Sequence, residues 1–366
     1  MQDEKYIRRC LQLARLGAYY VAPNPMVGAV LVRSREGVEE VLSEGWHEVF
    51  GGPHAEVNCL RRAEEKGIRS FEDCTLYVSL EPCSHYGKTP PCAKLLIEKR
   101  IPRVVVGCLD PNEKVSGRGV RMLRDAGIEV VTGVLEDECR ALNKRFMCLH
   151  EKHRPYVILK WAQTADGFLD YDRSADSSPS RPLVISNAVT KQLVHKMRAE
   201  NMAIMVGTRT ALLDNPRLLT TRWSGRNPIR VLPDRHGVVP RDSRIFSGDS
   251  ETIVYSECTD WQYILSDLGQ RGIHSLLVEG GRIWLETIIE SGIWDEMHIE
   301  VSPVRIAAGV PAPKLPASIP ASQQPASIPA PQPPASIPAP QLPFCGAKPM
   351  TIQGHLLYVM THNAPL

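Results

Sequence analysis

The motif His54-Ala55-Glu56 and the later segment EPCSHYGKTPPC, residues 81–92, decide the fold of the first half of the chain. Together they supply one imidazole and two thiols, a ligand set that zinc prefers, and three protein ligands leave the fourth zinc position open to water. Glu56 is close to the histidine in sequence and is the expected proton carrier. We therefore predict one catalytic zinc ion per chain, held by His54, Cys83 and Cys92, with Glu56 as a catalytic residue.

The order H-x-E and then P-C-x-x-C marks zinc-dependent nucleobase deaminases. Here eight residues, rather than two, separate Cys83 from Cys92, which indicates a loop between the two thiolates. Neither short motif is specific alone, but the two in this order are. The alternative is that these are structural cysteines in a core. Pro-Cys and Pro-Pro-Cys disfavour it because they are typical of loops.

The composition excludes several other classes of protein. A chain of 366 residues predicts two to three domains, and a net charge of +2 with 6% aromatic residues argues against a nucleic-acid partner. We expect no membrane helix, because no apolar stretch reaches about 18 residues. The acidic N-terminus does not resemble a signal peptide, and ten irregularly spaced cysteines fit a reducing compartment. We therefore expect a cytoplasmic protein.

Helix and strand patterns place the motif residues at the ends of elements. His54 and Glu56 fall in the first turn of a helix, and a strand at 75–79 delivers Cys83 at its carboxyl end. Ligand sites of open α/β sheets form at such edges. Cys92 opens a second helix, whose N-terminus favours a thiolate. Asn24, between two prolines, could contact a ligand or form a simple Asx turn, with comparable weight.

A second α/β unit begins at Pro155, with strands predicted at 157–160, 203–207 and 276–281. Thr208, Thr210 and Asp214 are predicted at a helix start, where backbone N–H groups can hold phosphate. Paired glycines at 280–281 could form a phosphate cradle, although a simple turn is the more common reason for them. The G-x-G-x-x-G fingerprint of dinucleotide-binding folds is absent from the sequence.

A proline-rich tract extends from 310 to about 343, with Pro-Ala-Ser-Ile-Pro-Ala beginning at Pro316, Pro325 and Pro334. Because proline blocks helix and strand ladders alike, we predict disordered or polyproline-like chain there. An inert expanded loop is favoured over a ligand for a proline-binding domain. The residues after it, 355–360, are predicted to form a last strand that returns to the second sheet.

With these residues in view, the chain closely resembles the bifunctional deaminase/reductase family of riboflavin biosynthesis. The resemblance of the first half depends on Pro23-Asn24-Pro25, Gly45-x-His47, the two zinc motifs, Asp110-Pro111-Asn112 and Gly117-Arg118-Gly119. It implies an α/β protein with a cytidine-deaminase-like three-layer domain at 1–148, and substrate contacts from Asn24, His47 and Lys88.

The second half matches the family over Leu159-Lys160, Arg198-Ala199, Asp214-Asn215-Pro216 and Val278-Glu279-Gly280-Gly281. The resemblance implies a dihydrofolate-reductase-like α/β domain at 149–366 that uses NADPH, with the proline-rich tract as an insertion. It places Lys160 as a catalytic residue at the sugar being reduced. It implies substrate binding by Arg198, Arg222 and Glu279, and NADPH binding by Thr210, Asp214 and Gly281. The segment 170–182 lacks the usual family sequence, and 218–222 carries one extra residue.

The implied function is two successive steps of riboflavin biosynthesis. A zinc-dependent hydrolytic deamination of a phosphorylated diaminopyrimidinone comes first, and NADPH-dependent reduction of its ribosyl group follows. A deaminase with a non-catalytic reductase-like domain is the main alternative. A nucleic-acid deaminase and a zinc scaffold that gathers partners through the proline tract are weaker ones. We also expect small-molecule phosphorylated pyrimidine substrates, no membrane partner and a homo-oligomer.

Overall fold

The computed structural model describes residues 2–85, 90–112, 116–173, 181–315 and 349–362. The chain forms two compact units, Met1–Arg154 and Pro155–Leu366. The sequence-based boundary at 148 falls inside the last helix of the first unit.

The first unit alternates helices and strands around one sheet. Its elements are α1 (Gln2–Ala14), β1 (Gly28–Arg35), β2 (Val38–Trp46), α2 (Ala55–Glu65), β3 (Cys74–Leu80), α3 (Cys92–Glu98), β4 (Arg103–Cys108), α4 (Arg118–Asp125), β5 (Glu129–Thr132), α5 (Glu136–Leu142) and α6 (Lys144–Lys152). The strand order is β2-β1-β3-β4-β5, with β1 antiparallel to both of its neighbours and β3, β4 and β5 parallel.

This sheet is buried on both faces, because its central strands carry apolar side chains at successive positions. Leu76 and Val78 of β3 pack on the face covered by α2, α3 and α4, while Tyr77 packs on the face covered by α1, α5 and α6. The result is three layers, helices on a sheet on helices. The carboxyl ends of β3 and β4 point to the same edge, as parallel strands require.

The second unit has a larger sheet. Its elements are β6 (Tyr156–Gln163), β7 (Phe168–Asp170), α7 (Ala188–Glu200), β8 (Ala203–Met205), α8 (Thr208–Asp214), β9 (Ile229–Pro233), β10 (Thr252–Tyr255), α9 (Trp261–Gln270), β11 (Ser275–Val278), α10 (Arg282–Ser291), β12 (Glu296–Val301), β13 (Val310–Pro311), β14 (Met350–Ile352) and β15 (His355–Thr361). Eight strands follow the order β10-β9-β8-β11-β6-β12-β15-β14, and β13 pairs separately with β7.

Six neighbouring strands of this sheet run parallel to one another, in the order β10, β9, β8, β11, β6 and β12. The next strand, β15, is antiparallel to β12. The predicted last strand and its return to the second sheet are therefore confirmed. A core of apolar side chains from β6, β8, β11 and β12 packs against α9 and α10. The carboxyl ends of the parallel strands thus gather at one edge, where ligand sites of open α/β sheets form.

Two local expectations were wrong. Val310–Pro311, taken as the start of the irregular proline-rich tract, pairs with β7 instead, since Val310 and Pro311 register with Asp170 and Phe168. The repeats themselves, within 316–348, lie outside the described residues. Asp214 was expected at a helix start, but it is the last residue of α8, because the helix already begins at Thr208 after the Gly207 N-cap.

Candidate active sites

The first unit brings together the three predicted metal ligands. The ligand atoms of His54, Cys83 and Cys92 all lie within 4.8 Å of one another. His54 Nδ1 is 3.6 Å from Cys83 Sγ and 3.4 Å from Cys92 Sγ. One imidazole nitrogen and two sulfurs at this spacing can bind a single tetrahedral zinc ion and leave one position free.

Each ligand stands at the end of an element. His54 has extended backbone and is the N-cap of α2, while Cys92 is the first residue of α3. Cys83 follows the carboxyl end of β3, and the Cys92 backbone N–H donates to its sulfur at 3.3 Å. The N-terminus of α3 therefore faces Cys83, and its partial positive charge favours the thiolate that a metal requires.

Hydrogen bonds within the cluster shift the pKa values of its three members. The hydrogen bond with the Cys83 thiolate raises the pKa of His54 to about 9. The hydrogen bond from Cys92 lowers the pKa of Cys83 well below its ordinary value, and the same contact raises that of Cys92. Metal ligands must be deprotonated, so a divalent cation bound here would take the place of the protons on His54 and Cys92.

Glu56, the predicted proton carrier, lies beside the cluster. It lies in the first turn of α2, is only 3% exposed, and its carboxyl group hydrogen-bonds with Cys92. Burial raises the pKa of Glu56 to about 6, against the opposing effect of His54. A carboxyl group with a pKa near neutrality can both accept and return a proton.

Asn24 and His47 form a pair beside the cluster. The Asn24 amide Nδ2 is 3.1 Å from His47 Nε2, and His47 Nδ1 is 3.0 Å from the Pro53 carbonyl oxygen. The carbonyl can only accept, so Nδ1 carries the proton and Nε2 accepts from Asn24. Burial lowers the pKa of His47, which keeps the ring neutral. The imidazole of His47 lies 5.5 Å from that of His54, between ring centres.

Glu81 connects the Cys83 loop to α4. Its buried carboxylate accepts hydrogen bonds from three backbone N–H groups, those of Asp110 (3.2 Å), Gly117 (2.9 Å) and Val120 (3.0 Å). At Gly119 a Cβ atom would lie 2.0 Å from the Pro82 carbonyl oxygen, so only glycine allows this approach. Glu81 belongs to the Glu81-Pro82-Cys83 motif, but no local pattern in the sequence indicates this role. Lys88, predicted to bind substrate, lies outside the described residues.

A cleft of about 760 Å³ occupies the carboxyl edge of the second sheet. Most predicted residues of this unit line it: Lys160, Glu279, Thr210, Asp214 and Gly281. Arg198 lies next to the cleft, as the partner of Glu279. Its Nε and Nη2 atoms donate to the two carboxylate oxygens at 2.9 and 2.6 Å, and both side chains are largely buried. Burial would raise the pKa of Glu279, but the Arg198 guanidinium holds it below its ordinary value.

Glycines bring backbone segments together in this cleft. The Gly207 N–H donates to the Gly280 carbonyl oxygen at 2.9 Å, and a Cβ at Gly207 would lie 2.7 Å from Trp284 Cδ1. A Cβ at Gly281 would lie 3.0 Å from Thr210 Oγ1. The paired glycines therefore form part of the cleft wall, as the cradle interpretation requires, and a bound ligand can approach the main chain closely.

Two predicted residues, Asp214 and Arg222, are less clearly placed to bind a ligand in the cleft. Asp214 is engaged by the Arg173 guanidinium, which also pairs with Asp170 at 2.6 Å. Arg173 was missed, because the segment around it carries no recognisable pattern. Arg222 is exposed and is not among the described residues that line the cleft. It follows Thr221, whose backbone N–H donates to His195 Nδ1 at 3.0 Å.

Comparisons with known proteins identify a family for each of the two units. The zinc-binding region of cytidine and deoxycytidylate deaminases matches residues 1–108, and the RibD C-terminal domain matches residues 155–316. The riboflavin biosynthesis protein RibD of Actinobacillus pleuropneumoniae is 37% identical over 83% of this chain and 84% of its own length. RibD of Aquifex aeolicus is 37% identical over 84% of this chain and 89% of its own length.

A solved structure matches both units together. It is a diaminohydroxyphosphoribosylaminopyrimidine deaminase/5-amino-6-(5-phosphoribosylamino)uracil reductase from Thermotoga maritima, with a TM-score of 0.80 and 33% identity over 99% of both chains. The fold and sites thus define a bifunctional enzyme, a zinc-type deaminase domain followed by a reductase domain. The chain belongs to the RibD family of riboflavin biosynthesis proteins. These matches confirm the predicted family and fold class. Among the described residues, no helix is long and apolar enough to span a membrane.

Proposed function

We propose that the first unit deaminates 2,5-diamino-6-ribosylamino-4(3H)-pyrimidinone 5′-phosphate and that the second unit reduces the ribosyl group of the product with NADPH. The observation that carries this proposal is the presence, in one chain, of the His54-Cys83-Cys92 cluster beside Glu56 and of a cleft containing Lys160 and Glu279. Family membership supports the same pair of reactions.

His54, Cys83 and Cys92 would hold one zinc ion per chain, because a nitrogen and two thiolates form the donor set of a catalytic zinc site. When bound, zinc lowers the pKa of water toward neutrality and so supplies a nucleophile. Glu56 would take one proton of that water and give it to the ring nitrogen, and would then carry the second proton, released as the new carbonyl forms, to the amino group that leaves as ammonia. Its burial keeps the proton on a group of intermediate pKa.

Asn24 and His47 would orient the pyrimidine ring for this reaction. Neutral His47 is held by the Pro53 carbonyl oxygen and accepts from one Asn24 N–H, which fixes the Asn24 amide in one orientation. Asn24 then has its carbonyl oxygen and a second N–H for complementary groups on the ring. Lys88 remains a predicted substrate contact.

In the second unit, the cleft would hold the nicotinamide cofactor and the sugar side by side. When bound, NADPH supplies the hydride. Lys160 would donate a hydrogen bond to the sugar group being reduced, while Glu279, fixed by Arg198, would orient the sugar hydroxyls. Thr210, Asp214 and Gly281 would contact the cofactor. The preference for NADPH over NADH, the Arg222 contact, the homo-oligomer and the cytoplasmic location remain predictions.

The deaminase-only alternative gains no support from the described residues. Lys160, Glu279 and the glycine-lined wall are all present at one cleft, despite the unusual 170–182 and 218–222 segments. A non-catalytic domain would have no need to keep a lysine, a buried carboxylate and its arginine partner together.

A coupled assay on the full chain tests the proposal. Zinc-loaded protein would be given the diaminopyrimidinone phosphate and NADPH, and ammonia release and NADPH consumption would be followed separately. We expect both signals in equal molar amounts. Ammonia without NADPH consumption would support the deaminase-only alternative, and the absence of both signals from zinc-loaded protein would overturn the substrate assignment.

A further inference from the structure

The positive charge of Lys160 calls for an acidic partner, and the nearby Glu279 is already paired with Arg198. Arg198 uses two nitrogens to bind both oxygens of Glu279, so these two side chains largely neutralise each other. Lys160 stands in the same part of the second unit with its own positive charge. A buried or half-buried cation needs a nearby anion of its own, because desolvation of an isolated charge is costly.

Glu300, on β12, has a buried carboxylate and is not one of the residues predicted for the site. Its side chain is only 1% exposed. The Ser186 hydroxyl donates to Oε2 at 2.6 Å, and His355 Nδ1 donates to Oε1 at 2.9 Å. Both oxygens therefore accept hydrogen bonds, which fixes the carboxylate in one orientation.

Strand register places Glu300 on the same side of the sheet as Lys160. Glu300 is opposite Ala162 on β6, and Ala162 is two residues after Lys160, so all three side chains project from one face. Glu300 also lies toward the carboxyl ends of the parallel strands, where the cleft containing Lys160 opens. Diagonal neighbours at this spacing are within reach of long side chains.

The electrostatics agree with this placement. Burial lowers the pKa of Lys160, whereas the carboxylates of Glu279 and Glu300 act in the opposite direction. Arg198 acts in the same direction as burial. His298, directly opposite Lys160 in the register, contacts Glu296 at 3.4 Å. Of the two carboxylates that act on Lys160 among the described residues, Glu279 is shared with Arg198, whereas Glu300 is held by a serine and a histidine.

We propose that Glu300 is a positioning residue of the reductase site, whose carboxylate, held by Ser186 and His355, is the counter-charge that keeps the Lys160 ammonium aimed into the cleft. This inference rests on the proposed reductase function. Glu300 would act through Lys160, because Glu300 itself is not among the described residues that line the cleft.

The same cluster gives the C-terminal hairpin a part in the site. His355 begins β15, and the β14–β15 hairpin follows residues 316–348 in sequence. A second contact supports the hairpin, since Asn187 Nδ2, at the start of α7, donates to the Ile352 carbonyl oxygen at 3.4 Å. The proposed counter-charge therefore uses residues from both sides of 316–348, Glu300 before it and His355 after it.

Steady-state kinetics of Glu300→Gln test the proposal. The substitution keeps the side-chain size but removes the charge. With deaminated intermediate and NADPH, we expect reductase kcat to fall about ten- to a hundredfold, as for a small misplacement of a reacting group. The KM for NADPH should stay within about twofold, and Glu300→Asp, which keeps the charge, should recover part of the lost kcat.

Glu296→Gln is the matched control. Glu296 is a buried glutamate on the same strand and face, but it lies toward the amino end of β12, away from the cleft. Its reductase kcat should remain that of the wild type. Wild-type kcat in Glu300→Gln, or an equal loss in Glu296→Gln, would overturn the inference. A wild-type protein without NADPH consumption would instead count against the proposed function.

A second measurement does not depend on activity. Reductive methylation with ¹³C-formaldehyde labels Lys160, and the Lys160→Arg variant identifies its resonance. The NMR titration should give a lower Lys160 pKa in Glu300→Gln than in wild type, because one carboxylate that favours the charged amine has been removed. Glu296→Gln should leave this pKa unchanged. An unchanged Lys160 pKa in Glu300→Gln would overturn the counter-charge role.

Discussion

The metal-ligand cluster of the first unit and the cleft of the second unit place their charged groups by different means. In the first, His54, Cys83 and Cys92 stand at element ends, and backbone N–H groups hold the sulfur and the neighbouring Glu81. In the second, charged side chains hold one another, as in the Arg198–Glu279 pair. A site held by backbone depends on loop conformation, whereas a site held by side-chain pairs depends on charge balance.

This difference predicts different responses to loss of a single charge. In the first unit, removal of a reacting group should stop the chemistry and leave the scaffold intact. In the second, replacement of one member of a pair should disturb its partner and produce a graded loss. The predictions below test this contrast, from the largest expected effect to the smallest.

Glu56→Gln should give the largest effect, a loss of ammonia release of about a thousandfold, because the proton carrier is removed from a buried position. Zinc content should remain near one per chain, since the ligands are unchanged. NADPH consumption with deaminated intermediate supplied should match the wild type. Metal analysis and the two separate assays measure these outcomes, and undiminished ammonia release would refute the role of Glu56.

Arg198→Lys should give an intermediate effect. Lysine keeps the charge but cannot form the two parallel hydrogen bonds that Arg198 makes with Glu279. Loss of one charge-assisted hydrogen bond costs about 1.5–3 kcal/mol, or a roughly ten- to hundredfold decrease in reductase kcat/KM.

Arg271→Lys is the control for that substitution. Arg271 pairs with Asp267 at 2.7 Å, but its side chain is 49% exposed, so the change should have little effect. Ammonia release should be normal in both variants. If Arg198→Lys reduced no more slowly than Arg271→Lys, the view that side-chain pairs hold the second site would be wrong.

The sequence was most informative where function depends on contiguous residues. His54, Cys83 and Cys92 could be predicted as one cluster because each is marked by its own short motif and by the end of an element. The final strand and its return were also predictable from its apolar run.

Side chains that meet across long sequence distances were not predictable in this way. Ser186 and His355 reach Glu300 from 114 and 55 residues away, and no local pattern marks any of the three. The role of Glu81 could not be predicted from the sequence for a related reason. Its partners are backbone N–H groups, which almost any residue supplies. Asp214 was misplaced because helix ends depend on local capping and packing, which a short motif does not specify.

Glu81→Gln should give the smallest effect and tests whether backbone contacts hold the first site. An amide supplies only one acceptor oxygen and places an NH₂ group against backbone N–H donors, which should cost about 1–3 kcal/mol of folding free energy. Because the Cys83 loop loses part of its support, zinc affinity should fall about tenfold, within the range for residues that orient metal ligands. Competition with a chromophoric chelator and thermal unfolding measure the two effects. Glu65→Gln, in an exposed pair with Arg61 on α2, is the control and should change neither. A Glu81→Gln protein with wild-type zinc affinity would show that the ligand loop keeps its shape without this carboxylate.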